Sequence, residues 1–233
     1  MPPRRTARER VRAEITREIT DVARAQLAAD GAAALSLRAV ARELGMVSSA
    51  VYRYFASRDE LLTALIIDGY NAVGAATEQA DAACARDDYP ARWQAATGAI
   101  RDWALAHPHE YALLYGSPVP GYHAPADTIV PAARSAAVFG RLASDAAAAA
   151  ALTPPEPPAP IPPVLADDLA QLREAVMPDV PDDVAAAALT AWAGVFGLIS
   201  FELFGQFNNV ITDRSAFFSH AVATLAGLFG LPA

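Results

Sequence analysis

Residues 48–53 read Ser-Ser-Ala-Val-Tyr-Arg and place three hydroxyls and one guanidinium within six positions. On a helix, residues three and four apart share a face. Ser48, Ser49, Tyr52 and Arg53, with Ala50 beside them, would then present short or polar side chains together. Such a set suits a DNA major groove, where each base pair displays a distinct pattern of donors and acceptors. Catalytic constellations are missing: the chain has no G-x-S-x-G, G-x-G-x-x-G, P-loop or H-E-x-x-H motif. His107, His109 and His123 crowd one stretch, but they lack metal-ligand spacing and a neighbouring cysteine. Asp87-Asp88, Asp167-Asp168 and Asp182-Asp183 fall at expected helix starts, where acids serve as caps and favour the helix dipole. No cofactor, no metal and no enzymatic activity is expected.

The donors need a helix that holds them outward. Residues 36–44 and 48–54 read as two short helices joined by Gly45-Met46-Val47. Ala41 lies four residues before Gly45, Val51 six after it, and Tyr54 three further on. This is the spacing of a helix-turn-helix. The crossing of the two helices requires a small contact residue, here Ala41. The turn opens at positive φ, which glycine tolerates without steric cost. Val40, Leu44 and Val51 fill the wedge. Ser36 is a favourable N-cap for the first helix. Ser57-Arg58-Asp59-Glu60 forms a capping box for the helix that follows. The same spacing also fits a plain helical hairpin with Tyr52, Tyr54 and Phe55 in a core. The Arg-rich flank, the two serines at a helix start and the capped next helix favour DNA.

The remaining segments are helical as well, with apolar residues recurring at three and four. The first helix runs from about residue 6 to 29 and ends at Asp30-Gly31. Helices are expected at about 57–80, from Pro90 to His107-Pro108, at 109–115, 128–152, 164–176, 183–206 and, capped by Asp213, 214–229. Seven of the ten residues 154–163 are proline, so that segment reads as an extended spacer.

The 233 residues carry 18 Lys+Arg, all of them Arg, against 26 Asp+Glu, a net charge of −8. The charge is uneven: residues 1–60 sum to +3 and residues 61–233 to −11. An acidic protein with a basic end meets polyanions with that end. A hydrophobic fraction of 54% excludes a disordered chain, and a single cysteine, Cys84, excludes a disulfide framework within it. The first 20 residues hold six Arg and no apolar run, so no secretory leader is read and a cytoplasmic location is expected. Residues 184–201 carry no charge and approach the length of a membrane span. Their alanine content and acidic flanks favour a buried or interfacial helix.

Residues 15–66 resemble the N-terminal domain of the tetracycline-repressor (TetR) family. The matching residues are Ile19, Ala23, Leu27, Gly31, Leu37 to Ala41, Leu44-Gly45, Val51-Tyr52, Tyr54-Phe55, Arg58 and Leu61-Leu62. Tyr54 stands where the family usually has His, and Arg58 where it usually has Lys. Residues 192–205 resemble a subgroup named for a Trp-His-Gly pattern, with Phe196 in the His place. The resemblance implies an all-α protein with two domains. Residues 1–60 would be a three-helix helix-turn-helix domain, and 61–233 a helical ligand-binding and dimerisation domain. It implies a homodimeric regulator, most simply a repressor, released from a palindromic DNA operator by a small apolar or aromatic effector. Ser36, Arg38, Ser48, Ser49, Ala50, Tyr52, Arg53 and Arg58 would meet DNA, with Arg58 on a phosphate. Arg4, Arg5 and Arg8 would form a basic arm. Trp103, Tyr111, Tyr115, Phe139, Trp192 and Phe196 would line the effector pocket. Val195, Ile199, Leu203, Phe218, Val222 and Leu225 would pair two subunits. Two other classes fit the helices: a small-molecule-binding protein or enzyme without DNA binding, and a membrane-associated protein.

Overall fold

The computed structural model describes residues 6–154 and 160–232. Among them every regular element is helical: α1 Ala7–Asp30, α2 Leu37–Glu43, α3 Ser48–Val51, α4 Arg58–Ala82, α5 Tyr89–Ala106, α6 Pro108–Tyr115, α7 Ile129–Ala148, α8 Ala166–Val176, α9 Asp182–Leu203 and α10 Arg214–Gly227. The all-α expectation holds. Arg4, Arg5 and half of the Pro-rich segment (155–159) lie outside the described residues.

The helix starts follow local chemistry. Thr6 accepts from the Glu9 N–H at 3.2 Å while Glu9 accepts from the Thr6 N–H at 2.8 Å, a capping box that opens α1. Ser57 accepts from the Glu60 N–H at 3.1 Å, and the Glu60 carboxylate reaches back to the Ala56 N–H at 2.7 Å. Asp213 caps α10 by accepting from the Ala216 N–H at 2.9 Å. Pro108 stands in the first turn of α6, where its missing N–H costs nothing.

The chain divides into two compact units, and the division is not the contiguous one at residue 60 that the sequence suggested. One unit holds residues 1–70 together with 107–129; the other holds 71–106 with 130–233. In the first unit, Ile19, Ala23, Leu37, Val40, Ala41, Val51, Phe55, Leu61, Leu62 and Leu65 form the core of α1 to α4. Leu113, Val119 and Tyr122 pack on that core from α6 and the loop after it. Tyr122 and Thr63 share a hydroxyl–hydroxyl hydrogen bond of 2.9 Å. Arg24 of α1 binds Asp21 at 2.7 Å, Asp68 of α4 at 2.8 Å and Glu110 of α6 at 3.4 Å.

The second unit is centred on α5. The Trp93 ring meets Phe139 of α7 and Phe229 edge-on, at 5.3 and 5.2 Å. Its indole N–H donates to the Val222 carbonyl of α10 at 2.7 Å. Beside it, the fully buried Arg92 donates to Asp81 at 2.7 Å and to the Arg86 carbonyl at 3.0 Å, and lies 2.9 Å from Asp145. Burial alone would raise the Asp81 carboxyl, but hydrogen bonds from Arg92 and Arg86 outweigh it and hold it below the usual aspartate value. Arg101 of α5 meets the buried Glu202 of α9 through two bonds, of 2.7 and 2.8 Å, with its guanidinium over the Phe218 ring.

Candidate nucleic-acid interface

Helix α2 ends in a turn set by its backbone. The Met46 N–H donates to the Ala41 carbonyl at 2.8 Å and the Gly45 N–H to the Arg42 carbonyl at 3.2 Å. This 6→1, 5→2 pair is a Schellman motif, and it needs a left-handed residue at Gly45, whose φ is +65°. Met46 then packs against the core of the unit. The turn redirects the chain into α3, whose hydrogen bonding continues beyond Val51: Tyr52 N–H donates to Ser48, and Phe55 N–H to Val51, both at 3.1 Å.

Burial sorts the two faces of this short rod. Ala50, Val51 and Phe55 are buried; Ser49, Tyr52 and Arg53 are exposed and Ser48 is half-buried. Positions 49, 52 and 53 are spaced three and four apart, so they form one outward stripe. Ala50 is a correction to the sequence reading. It is only 8% exposed and belongs to the inward face, because it lies next to Val51 on the arc that the core claims.

Arg58 is anchored within its own unit. Its guanidinium donates to the carbonyls of Leu35 (3.2 Å), Ala32 (2.8 Å) and Ala33 (3.3 Å). Residues 32–34 form a 3₁₀ turn. Its carbonyls lie within reach of α4's first residue, so the arginine is held as a latch, with its remaining nitrogen 3.5 Å from Asp59 and its side chain 30% exposed. Ser36 does occupy the N-cap position of α2, in an extended conformation, but its side chain makes no capping hydrogen bond. Arg38 is exposed in the first turn of α2.

Two arginines that the sequence reading did not name, Arg12 and Arg42, emerge beside these, together with Arg8 of the expected basic arm. Arg8 and Arg12 of α1 line one cleft together with Arg53 and Tyr54. Arg42 is exposed one turn after Arg38. Among the described residues, none of Arg8, Arg12, Arg38, Arg42 and Arg53 has a carboxylate within 4.0 Å. The signal was available: residues 4–17 carry six arginines, and Arg8 and Arg12 are four apart.

The residues expected to bind an effector are split between the units. Tyr111 and Tyr115 belong to the first, with rings 5.1 Å apart, and Tyr111 is fully buried. Trp103, Phe139, Trp192 and Phe196 belong to the second. Phe139 is a core residue against Trp93, and Trp103 is buried. The Trp192 and Phe196 rings lie 4.8 Å apart and are tilted by 56°. The Trp192 indole N–H is buried without an acceptor among the described residues.

The expected pairing residues need the largest correction. Val195, Ile199, Phe218 and Val222 are all at most 5% exposed within one subunit, so they cannot also meet a second one. They face inward because α9 and α10 must first pack on each other and on α5. Gly194 permits this close approach: a Cβ there would lie 2.8 Å from a methyl of Leu225. Leu203 and Leu225 stay half-exposed. The outward side of these helices carries an apolar groove lined by Leu198, Phe201, Phe207, Phe217, Ala221 and Leu225. Helix α9 is long and apolar enough by length and composition to cross a membrane, yet its buried positions Val184, Ala188, Ala191, Val195 and Ile199 recur as one core-facing stripe.

Comparison with known proteins agrees with this architecture. A family model described as bacterial regulatory proteins, tetR family, matches residues 19–65. A second, described as tetracyclin repressor-like, C-terminal domain, matches residues 93–225. The Trp-His-Gly subgroup suggested by residues 192–205 is not confirmed. HTH-type transcriptional regulators of Mycobacterium tuberculosis and Mycobacterium bovis are 42% identical over 223 residues, covering 92% of this chain and 90% of theirs. A solved structure described as regulatory protein SCO4313 is 35% identical, with a TM-score of 0.77, 95% of this chain covered and 100% of that one. A tetR-family regulator from Rhodococcus RHA1, 21% identical with a TM-score of 0.63 over 94% of this chain and 98% of that one, shares the fold. With a Gly45 turn presenting an outward stripe and with relatives matched along nearly its whole length, the chain belongs to the TetR family of DNA-binding transcriptional regulators.

Proposed function

We propose that the protein is a homodimeric repressor that holds a palindromic operator and releases it on binding a small apolar or aromatic effector. The observation that carries this reading is the stripe Ser49, Tyr52 and Arg53, exposed, free of acidic partners among the described residues and held outward by the Gly45 turn. Ser48 flanks the stripe. Arg38 and Arg42 extend the positive surface toward the adjoining phosphates, and Ser36 stands at the same helix start. Arg53 offers a fork that matches a guanine edge or a phosphate; the hydroxyls accept or donate to either. The chromosome is the target, so the protein works in the cytoplasm.

The second copy occupies the apolar groove of α9 and α10. An exposed apolar groove is unfavourable in water, and a two-helix face closes on itself about a twofold axis into a four-helix bundle. The twofold axis in turn requires an operator with two half-sites, about 34–36 Å apart on one face of the duplex. The buried, unpartnered indole N–H of Trp192 favours an effector that brings a hydrogen-bond acceptor to an otherwise apolar surface. α4 supplies a continuous helix that begins in the unit carrying the stripe and ends in the second unit.

Selection of bound duplexes from a random pool tests the core of this reading. The expected result is an inverted repeat whose half-sites stop being enriched in the Arg53→Ala variant. Recovery of no preferred sequence, by a protein that is folded and dimeric, would overturn it.

A further inference from the structure

We propose that Arg8, Arg12 and Arg53 form one phosphodiester-binding cleft that fixes the register of α3 on duplex DNA, with Tyr54 as the platform that holds Arg12. This inference rests on the reading of the protein as a DNA-binding regulator and extends its contact surface to α1.

The cleft is built from two elements of the same unit. Arg8 and Arg12 stand one turn apart on α1, and Val11 lies between them on the cleft wall; Arg53 and Tyr54 follow α3. Three arginines therefore line one space, and no carboxylate among the described residues lies within 4.0 Å of them. Mutual repulsion would normally splay such long side chains into water. Arg12 is instead held: its guanidinium carbon lies 5.2 Å from the centre of the Tyr54 ring, within the range of a cation–π contact. Tyr54 is itself half-buried and packs against the core, so its ring is a fixed surface. The arrangement keeps a concentrated positive charge in a protein whose net charge is −8.

The missing partner is an anion that accepts several planar N–H forks at once. A phosphodiester does so, with two unesterified oxygens and no need for further neutralisation. Arg53 belongs both to this cleft and to the outward stripe. A phosphate gripped in the cleft thus fixes the distance from the DNA backbone to Ser49 and Tyr52. Phosphate contacts of this kind position a protein without reading sequence.

The test compares the wild-type protein, Arg12→Gln, Tyr54→Phe and Tyr54→Leu on the selected operator and on a scrambled duplex, across a salt series. For Arg12→Gln the expected result is about a tenfold or greater loss of affinity on both duplexes. The slope of log K against log salt should also fall by about one phosphate contact per subunit. Tyr54→Phe keeps the ring and should keep the wild-type slope. Tyr54→Leu should lose part of it. Melting temperatures of the four proteins check that each is folded. A folded Arg12→Gln variant with wild-type affinity and slope would overturn the cleft alone, and failure of the wild type to bind any duplex would overturn both readings. A parallel arm adds inorganic phosphate against chloride at equal ionic strength. Phosphate that raises the wild-type melting temperature, while Arg12→Gln leaves duplex binding unchanged, would assign the cleft to a free anion and overturn the proposal.

Discussion

Asp81 illustrates how much one carboxylate controls in this protein. It is nearly buried and accepts from both Arg92, which is fully buried, and Arg86. Removing its charge leaves Arg92 with only the half-exposed Asp145 as an ionic partner among the described residues. Breaking a buried pair from one side costs roughly 3–5 kcal/mol, because the remaining charge is stranded in a poor solvent. Asp81→Asn should therefore unfold at a markedly lower urea concentration at neutral pH. The pH dependence has a definite sign. The folded-state value lies below the usual 3.8, so the contribution is fully present above that value and is lost as pH falls through the depressed one. Wild-type stability should decline in that acid window with a slope that the Asn variant lacks. Equal slopes in urea titrations across the window would show that Asp81 is not the linked group. Nothing in the local sequence singles out Asp81. Its partners Arg86 and Arg92 lie 5 and 11 residues away, beyond the end of its own helix. Gly45 was the opposite case: its positive φ follows from a turn only three residues long, and local spacing was enough to read it.

At the scale of elements, α5 and α9 are clasped by a buried ion pair inside an apolar setting. Arg101 and Glu202 meet bidentately, with side chains 13% and 7% exposed. Single removal, Glu202→Gln or Arg101→Gln, should destabilise the protein by about 3 kcal/mol. The double replacement Arg101→Met with Glu202→Leu should come back close to wild type, because both desolvated charges are gone. Thermal unfolding of the four proteins measures this; strict additivity of the two single losses in a double variant would mean that the pair is not coupled. The same helix shows why its faces were misassigned. α9 is apolar on nearly every side, so periodicity identifies a helix but not which side the core takes. Val195 and Ile199 were assigned to a partner subunit, and α5 and α10 claimed them. The remaining face, with Leu198 and Phe201, was left outside. α3 had the same ambiguity in miniature: Ala50 is compatible with either arc, and only its burial in the folded unit decides.

For the whole molecule, the exposed groove of α9 and α10 carries the proposed dimer. Phe201 is 52% exposed, so Phe201→Asp should not unfold the subunit. It should give a monomer by sedimentation equilibrium, with unchanged helicity, and should reduce affinity for a two-half-site operator far more than for a single half-site. A variant that stays dimeric would move the interface elsewhere. The unit boundaries matter at this scale too. Residues 107–129 belong with the DNA-binding core, tied to it by Arg24–Glu110 and by Tyr122–Thr63, although they are distant in sequence. These pairs are partly exposed and individually weak. They define membership of the unit more than its stability.

From the chain of residues alone came the helical class, nearly every helix start, the turn at Gly45 and the positive outward character of residues 48–53. Those features depend on interactions that reach four residues or fewer: capping, proline and glycine geometry, and the period of the apolar positions. Tertiary structure alone decided that Ala50 points inward and that Arg58 is anchored on backbone carbonyls. It also decided that Arg8 and Arg12 converge on Arg53, and that the expected pairing residues are core. Each of these depends on which distant surface reaches a side chain first, and a linear pattern carries no record of that competition.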